Sequence, residues 1–328
     1  ADMLVYGMAE NPLNEIIQLM KKGKRLAQLR NIKGTSIILN KKECELRASS
    51  LEIHSFDELQ LNKNKYSNAS KIINKNLSPY NAKTILQSYG NRYLCVYPPS
   101  MPLAENELDR LYDLPFTRLP HSKYEEKIAA YEMIKFSITA LRGCFGGCTF
   151  CSLSAHQGKE VQSRSVTSIL KEVRTVSKMK GFNGHISDIG GPTANMYKMY
   201  CKDNKIKSVC KKLSCIYPGI CKYLKTDHRD LIRMLQRARK EKNIKKVFVA
   251  SGIRFDIANL SQEYIRELAR YHVSGQLKVA PEHCDSKVLK YMKKTPFSHF
   301  VKFKQRFLEE SKRAGLKQFL VPYFMSSH

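Results

Sequence analysis

The chain has 328 residues and is 42% hydrophobic, enough to bury a sizeable core in one large or two smaller domains, which excludes a disordered or low-complexity protein. No apolar run approaches the roughly 18 residues that span a bilayer, so no membrane partner is expected. Lys and Arg number 57 against 29 Asp and Glu, a net charge of +28. Such a charge suits a nucleic acid or another acidic substrate. It equally suits a composition rich in Lys, Asn and Ile, with the excess spread thinly and no long basic tract.

The chain opens at Ala1 rather than at a methionine and ends just after an apolar run, so it reads as part of a longer polypeptide. Residues 3–7 form a short apolar run that predicts a strand. After Asn11 and Pro12, the residues Leu13, Ile16, Ile17 and Met20 recur at helical spacing. Together, residues 1–28 read as the last strand–helix unit of a parallel α/β domain. Residues 29–130 are less regular and read as a connector with local structure. Short strands are expected there at 35–39 and 93–97, around a polar stretch at 61–76.

From residue 131 the rhythm sharpens. Strands are expected at 134–140, 185–189, 246–250, 276–280 and 318–324. Helical patterns lie between them, carried by Ile169 and Val173, Leu231 and Leu235, Ile265 and Leu268, Leu289 and Met292, and Phe300, Phe303 and Phe307. Strands alternating with helices imply a parallel sheet with right-handed crossovers. In such folds the active residues sit on loops after the C-terminal ends of the strands.

Ten cysteines are present, seven of them between Cys144 and Cys221. The chain is long and shows no secretory signal, so metal binding in a reducing cytoplasm fits better than a disulfide framework. The first strand of the rhythmic part runs into Arg142-Gly-Cys-Phe-Gly-Gly-Cys-Thr-Phe-Cys151. Its spacing, Cys144-x3-Cys148-x2-Cys151, sets three thiolates on one tight loop. Three thiolates ligate three irons of a cubic four-iron cluster (4Fe-4S) and leave the fourth iron open. A zinc knuckle or three buried thiols is the competing reading, but zinc prefers four ligands in paired Cys-x2-Cys units.

A second group, Cys201, Cys210, Cys215 and Cys221, lies in an insertion at about residues 195–226, between the second and third strands. The insertion is lysine-rich and has little apolar content to hold it together. Four thiolates there suit a structural zinc or a second iron–sulfur cluster. Disulfides or free thiols are the alternative, since the spacing matches no standard zinc knuckle.

The run Cys144-Phe-Gly-Gly-Cys-Thr-Phe-Cys-Ser152, with Gln162-Ser-Arg-Ser165 and Ile186-Ser-Asp-Ile-Gly-Gly-Pro-Thr-Ala-Asn-Met-Tyr197, closely resembles the YgiQ family of the radical S-adenosylmethionine (radical SAM) superfamily. So do Ser251-Gly-Ile-Arg-Phe-Asp256, Ala280-Pro-Glu-His283, Val321-Pro-Tyr-Phe324, Tyr97-Pro-Pro99 and Leu111-Tyr-Asp-Leu-Pro115. The resemblance implies an α/β fold, a partial (β/α)6 barrel with the cluster at its C-terminal mouth and a sixth strand beyond His328. It also implies that residues 1–28 end a Rossmann-like, cobalamin-binding-type domain. No Asp-x-His-x-x-Gly motif occurs, which argues against a lower His ligand and leaves cobalamin open.

The implied chemistry is reductive cleavage of S-adenosylmethionine at a 4Fe-4S cluster, giving a 5′-deoxyadenosyl radical that acts on an unknown substrate, RNA or protein among the candidates. A flavodoxin or ferredoxin would supply the electron. Gly190 and Gly191 match the Gly-Gly-Glu position whose backbone holds the S-adenosylmethionine amino group. Pro192 replaces the Glu, so only backbone contacts carry over. Ser251 and Arg254 are expected at the cofactor's carboxylate or ribose, with a surface ion pair the alternative for Arg254. Phe150 is expected beside the adenine, or in the core. Glu282 and His283 are expected at cofactor hydroxyls or substrate, with a satisfied loop pair the equal alternative, and Cys284 as a buried thiol. Asp188 and Asp256 receive no role. The competing functional class is an iron–sulfur electron-transfer or nucleic-acid-binding module that never cleaves S-adenosylmethionine. The Gly-Gly-Pro, Ser-Gly-Ile-Arg and Ala-Pro-Glu-His elements favour the enzyme, because an electron carrier needs no cofactor cradle.

Overall fold

Alternating burial in the first hundred residues builds one mixed sheet. Its strands are β1 (Met3–Val5), β2 (Thr35–Asn40), β3 (Leu51–Ile53), β4 (Ile85–Tyr89) and β5 (Arg92–Val96), in the order β1-β2-β5-β4-β3. The computed structural model describes residues 2–45 and 49–327, without the side chain of residue 45; Ala1 and His328, read above as cut ends, lie outside them. Among the described residues of this sheet, only β3 and β4 pair in parallel. β1 stands at the edge of this sheet and pairs antiparallel with β2, which ties residues 1–28 to it. The helix α1 (Glu10–Lys21) turns Ile16 into a small core with Leu29 and Ile32.

The stretch expected as a connector therefore carries four strands of its own. Its polar run forms the helix α2 (Lys63–Lys75). The Asn62 side chain caps it, accepting from the backbone N–H groups of Asn64 and Lys65 at 2.9 and 3.1 Å. That cap satisfies two of the N-terminal donors that a helix leaves unpaired.

The second part is an arc of parallel strands in chain order. β6 (Ser137–Thr139) is shorter than expected because Ala129–Ile134 is helical. A two-residue ladder of β7 (Leu141–Arg142) with β8 (Gln162–Ser163) follows, then the helix α3 (Val166–Val176). Next come β9 (His185–Ile186), β10 (Asp188–Gly190), the helix α4 (Arg229–Arg239), β11 (Lys246–Val247) and the helix α5 (Gln262–Glu267). β12 (Gln276–Glu282), the helices α6 (Ser286–Met292) and α7 (Phe297–Arg313), and β13 (Phe319–Phe324) complete the arc. β6 pairs with β10, β9 with β11, and β12 with β13, all in parallel, and a parallel bridge from Ile253 to Val279 joins the halves. The helices lay Ile169, Val173, Leu231, Leu235, Ile265, Phe303 and Phe307 onto strand residues Ile138, Ile186, Ile189 and Val247 in one continuous core. Right-handed crossovers thus aim every β-to-α loop at the same end of the arc.

Arg164 fixes where that arc begins. Its side chain is 1% exposed, bonds the Thr139 carbonyl at 2.9 Å and the Ser168 carbonyl at 3.0 Å, and pairs with Glu172. Tyr112 of the preceding segment covers the guanidinium, 4.1 Å from ring centre to charge. Replacing Arg164→Met strands a backbone carbonyl and leaves Glu172 half-paired with Arg118 alone. Chemical denaturation is expected to show a loss of about 3 kcal/mol; an unchanged midpoint would remove Arg164 from this role.

Candidate active site at the cysteine loop

The β7–β8 ladder ties off residues 143–161 at the C-terminal end of β6. Gly143 opens the loop at φ +84°, and a Cβ there would lie 2.0 Å from the Glu160 carbonyl oxygen, so no other residue fits. The Cys144 N–H then donates to the Gly158 carbonyl at 3.1 Å, and the Cys151 N–H to the Cys148 carbonyl at 3.2 Å. Thr149 reaches across to the end of α6, its N–H to the Met292 carbonyl at 3.2 Å and its Oγ1 to the Tyr291 carbonyl at 2.8 Å.

The thiols of Cys144 and Cys148 meet at Gly146. A Cβ on Gly146 would stand 3.2 Å from Cys144 Sγ, 3.9 Å from Cys148 Sγ and 3.4 Å from an Arg254 nitrogen. Arg254 is the centre of the arrangement. One terminal nitrogen lies 3.4 Å from Cys148 Sγ. The other faces of its guanidinium bind Asp256, at 3.1 Å from Nε and 2.5 Å from the second terminal nitrogen. Both residues are buried, so the surface ion pair weighed for Arg254 is replaced by an interior one. Burial works against the Arg254 charge, but Asp256 beside it more than offsets that and holds the guanidinium protonated. Burial likewise opposes charge on Asp256, and Arg254 overrides it, keeping the carboxyl below its usual range.

The Gly-Gly-Pro-Thr-Ala-Asn run after β10 braces this pair. The Asn195 side chain clamps the backbone of Arg254, its Nδ2 donating to the Arg254 carbonyl at 2.9 Å and its Oδ1 accepting the Arg254 N–H at 2.8 Å. The Ala194 N–H donates to the Gly252 carbonyl at 2.9 Å. Thr193 Oγ1 lies 3.8 Å from Cys144 Sγ. Burial raises the Cys144 thiol above its ordinary range, opposed in part by the Gly146 N–H and by Thr193.

The other expected site residues divide. Gly190 and Gly191 are demanded by packing: a Cβ on Gly190 would sit 2.4 Å from Ser251 Oγ, and one on Gly191 would sit 2.4 Å from the Leu141 carbonyl oxygen. Ser251 is held by Asp188, whose Oδ2 accepts its hydroxyl and whose Oδ1 accepts the N–H groups of Ala250 and Ser251 at 2.8 and 3.0 Å. Asp188 and Asp256, given no role from sequence, thus position the loop after β11. Glu282 ends β12 with φ +70° beside a register shift, and its Oε1 lies 3.7 Å from Lys294 Nζ. His283 accepts the Asp285 N–H on Nδ1 at 3.0 Å, which makes it part of a loop turn. Phe150 is half-buried on the loop, and Cys284 is exposed, not buried as expected, because it lies past the last ladder residue of β12.

Lys294 was not visible in the sequence. It is 4% exposed, donates to the Ala280 carbonyl at 2.7 Å, and interacts with Arg254, Cys148, Glu282 and Asp256. Burial first, and Arg254 second, lower its pKa. The signal available was a Lys-Lys-Thr-Pro turn, lost among 57 basic residues.

Among the described residues, no three His, Cys, Asp or Glu side chains close on a single metal ion. The thiols nonetheless fit an iron–sulfur cluster. They are soft donors on one loop, and Arg254 and Lys294 offset the charge that ligating thiolates carry. The second group is brought together as well: Cys201, Cys210, Cys215 and Cys221 line one cavity of about 120 Å³.

A family model described as Radical SAM superfamily matches residues 138–323, and one described as Radical SAM N-terminal matches residues 1–137. A UPF0313 protein of Porphyromonas gingivalis is 43% identical over 340 residues, covering 100% of this chain and 54% of that protein. UPF0313 protein YgiQ of Escherichia coli K12 is 37% identical over 383 residues, covering 100% of this chain and 52% of that protein. The chain spans about half the length of the curated relatives it matches. In fold it is similar to a solved structure described as the cobalamin-dependent S-adenosylmethionine radical enzyme OxsB with aqua-cobalamin bound. That likeness has a TM-score of 0.53 at 12% identity and covers 98% of this chain and 33% of that one.

Two outcomes follow from this geometry. Asp256→Ala leaves the buried Arg254 charge unpaired and is expected to cost about 3–5 kcal/mol in chemical denaturation. Asp227→Ala, which breaks the partly exposed pair with Arg229, is expected to cost under about 1 kcal/mol. Equal losses would contradict the interior pair. The second outcome concerns His228, which stacks on Tyr264 at 4.5 Å and whose pKa burial pushes down to about 4. The unfolded chain binds the extra proton at higher pH, so this histidine's contribution is complete above about pH 6.5 and lost as pH falls toward about 4. Thermal melts of His228→Phe are expected to lose less stability between pH 7 and pH 5 than the native protein; an equal loss would refute it.

Proposed function

We propose, from the premise that this chain belongs to the radical SAM superfamily, that it is an enzyme that reductively cleaves S-adenosylmethionine and turns the 5′-deoxyadenosyl radical on a separate substrate. The observation that carries this is the meeting of Cys144 and Cys148 with the buried Arg254–Asp256 pair, on loops that follow β6 and β11 of the parallel arc. A four-iron cluster on Cys144, Cys148 and Cys151 would supply the reducing electron and, at its open iron, the anchor for the amino and carboxylate groups of S-adenosylmethionine.

The chain's own residues would do the rest. Arg254 balances thiolate charge at Cys148 and keeps the loop closed around it. Gly190, Gly191 and Ser251 form the strand ends against which the cofactor's amino-acid head lies. Phe150 faces the adenine, and Glu282 with Lys294 gives a polar rim for hydroxyls of the cofactor or substrate. A flavodoxin or ferredoxin fits as electron donor, and thiolate-ligated clusters suit a reducing compartment such as the cytoplasm. No helix of the described residues is long and apolar enough to cross a membrane. The proposal leaves cobalamin open, as β1 stands at the edge of its sheet and the chain spans about half the length of its relatives. The electron-carrier alternative needs no cofactor cradle, the part that the Gly-Gly-Pro, Ser-Gly-Ile-Arg and Ala-Pro-Glu-His strand ends would play.

The test is anaerobic reconstitution of the full-length protein followed by dithionite and S-adenosylmethionine. Chromatography is expected to show 5′-deoxyadenosine, and none from a Cys144→Ala, Cys148→Ala, Cys151→Ala protein. A reconstituted native protein that forms no 5′-deoxyadenosine would overturn the reading.

A further inference from the structure

The four cysteines outside the triplet sit in one place. The segment that carries three of them packs on the first cysteine loop: the Cys215 N–H donates to the Phe145 carbonyl at 3.0 Å, and Ser214 Oγ donates to the Gly146 carbonyl at 2.7 Å. Gly147 has no room for a Cβ because the Leu213 carbonyl oxygen would stand 2.5 Å away. The Cys221 N–H folds back onto the Cys215 carbonyl at 2.8 Å, and a bridge between Cys201 and Leu224 brings in the fourth thiol. All four line the same cavity and all are free.

The cavity's walls are basic. Lys159 lies 3.8 Å from Cys210 Sγ and also interacts with Cys215, while Lys211 and Lys212 stand on the same wall. The acid on the wall, Glu160, is engaged by Lys207 at 2.6 Å and by the Tyr80 hydroxyl at 2.6 Å. Soft donors in a net positive surround suit a thiolate-ligated metal centre, whose complex carries net negative charge. A structural zinc needs its donors about 2.3 Å from one point. Four donors that close on one ion leave no cavity between them, whereas a four-iron cube fills one, and these thiols line a cavity of about 120 Å³. Thiols spread around a cavity suit separate irons of one cluster.

We infer that Cys201, Cys210, Cys215 and Cys221 hold a second iron–sulfur cluster of the four-iron type, one thiolate to each iron. With every iron ligated by protein, it has no open position for S-adenosylmethionine. This inference stands apart from the cofactor reading, because it uses none of the Cys144 loop's thiols.

The experiment is anaerobic reconstitution with iron and sulfide of the full-length Cys144→Ala, Cys148→Ala, Cys151→Ala protein. Iron, sulfide and zinc are then measured, with electron paramagnetic resonance after dithionite. About four irons and four sulfides per chain are expected, with a spectrum that S-adenosylmethionine does not alter. One zinc per chain, or no metal in a folded protein, would overturn the inference. Should the triple variant not fold, Cys215→Ser with Cys221→Ser in the otherwise native protein is expected to lower iron from about eight atoms to about four. Unchanged iron in that variant would overturn it as well.

Discussion

A guanidinium buried beside thiols must be paired, or the loop that carries it cannot close. Arg254 meets that demand with Asp256 on one side and the Cys148 sulfur on the other, while Asn195 fixes its backbone from the neighbouring strand end. Three strand-end loops are thereby tied to one charge. Loops are ordinarily the mobile parts of an α/β fold. Here the buried ion pair converts them into a rigid seat, which is what a loop donating thiolates to a cluster requires.

The same constraint gives the Gly-Gly-Pro-Thr-Ala-Asn run a physical meaning. Its glycines are small because Ser251 and the Leu141 carbonyl occupy the space a Cβ would need. Its Thr approaches Cys144, and its Asn clamps Arg254. These residues act by positioning others, so their identity follows from contact distances in the fold.

The rhythm of the second half was legible because period 3.6 and period 2 alternate cleanly there, as in α3, β12 and α7. The cysteine triplet was legible because its spacing is short and local. The first half was harder. β1 is three residues long, and nothing local in it declares an antiparallel partner thirty residues on. α2 is a helix of Lys and Asn stabilised by a cap and one buried alanine, a pattern that reads as polar coil. Lys294 went unseen and Asp256 without a role for another reason. Each acquires its role from a neighbour distant in sequence or from burial, and neither leaves a periodic trace. The interior placement of Arg254 belongs with them, since a charged residue in a loop reads as solvent-facing until the fold buries it.

The central claim is that the seat built around Arg254 presents a cluster with one iron free for the cofactor's amino-acid head. Electron–nuclear double resonance on the reduced, full-length protein tests this most directly, using S-adenosylmethionine with an isotope-labelled amino nitrogen. The account predicts hyperfine coupling between the label and the cluster. A reduced cluster on Cys144, Cys148 and Cys151 that shows no coupling at saturating S-adenosylmethionine would contradict it.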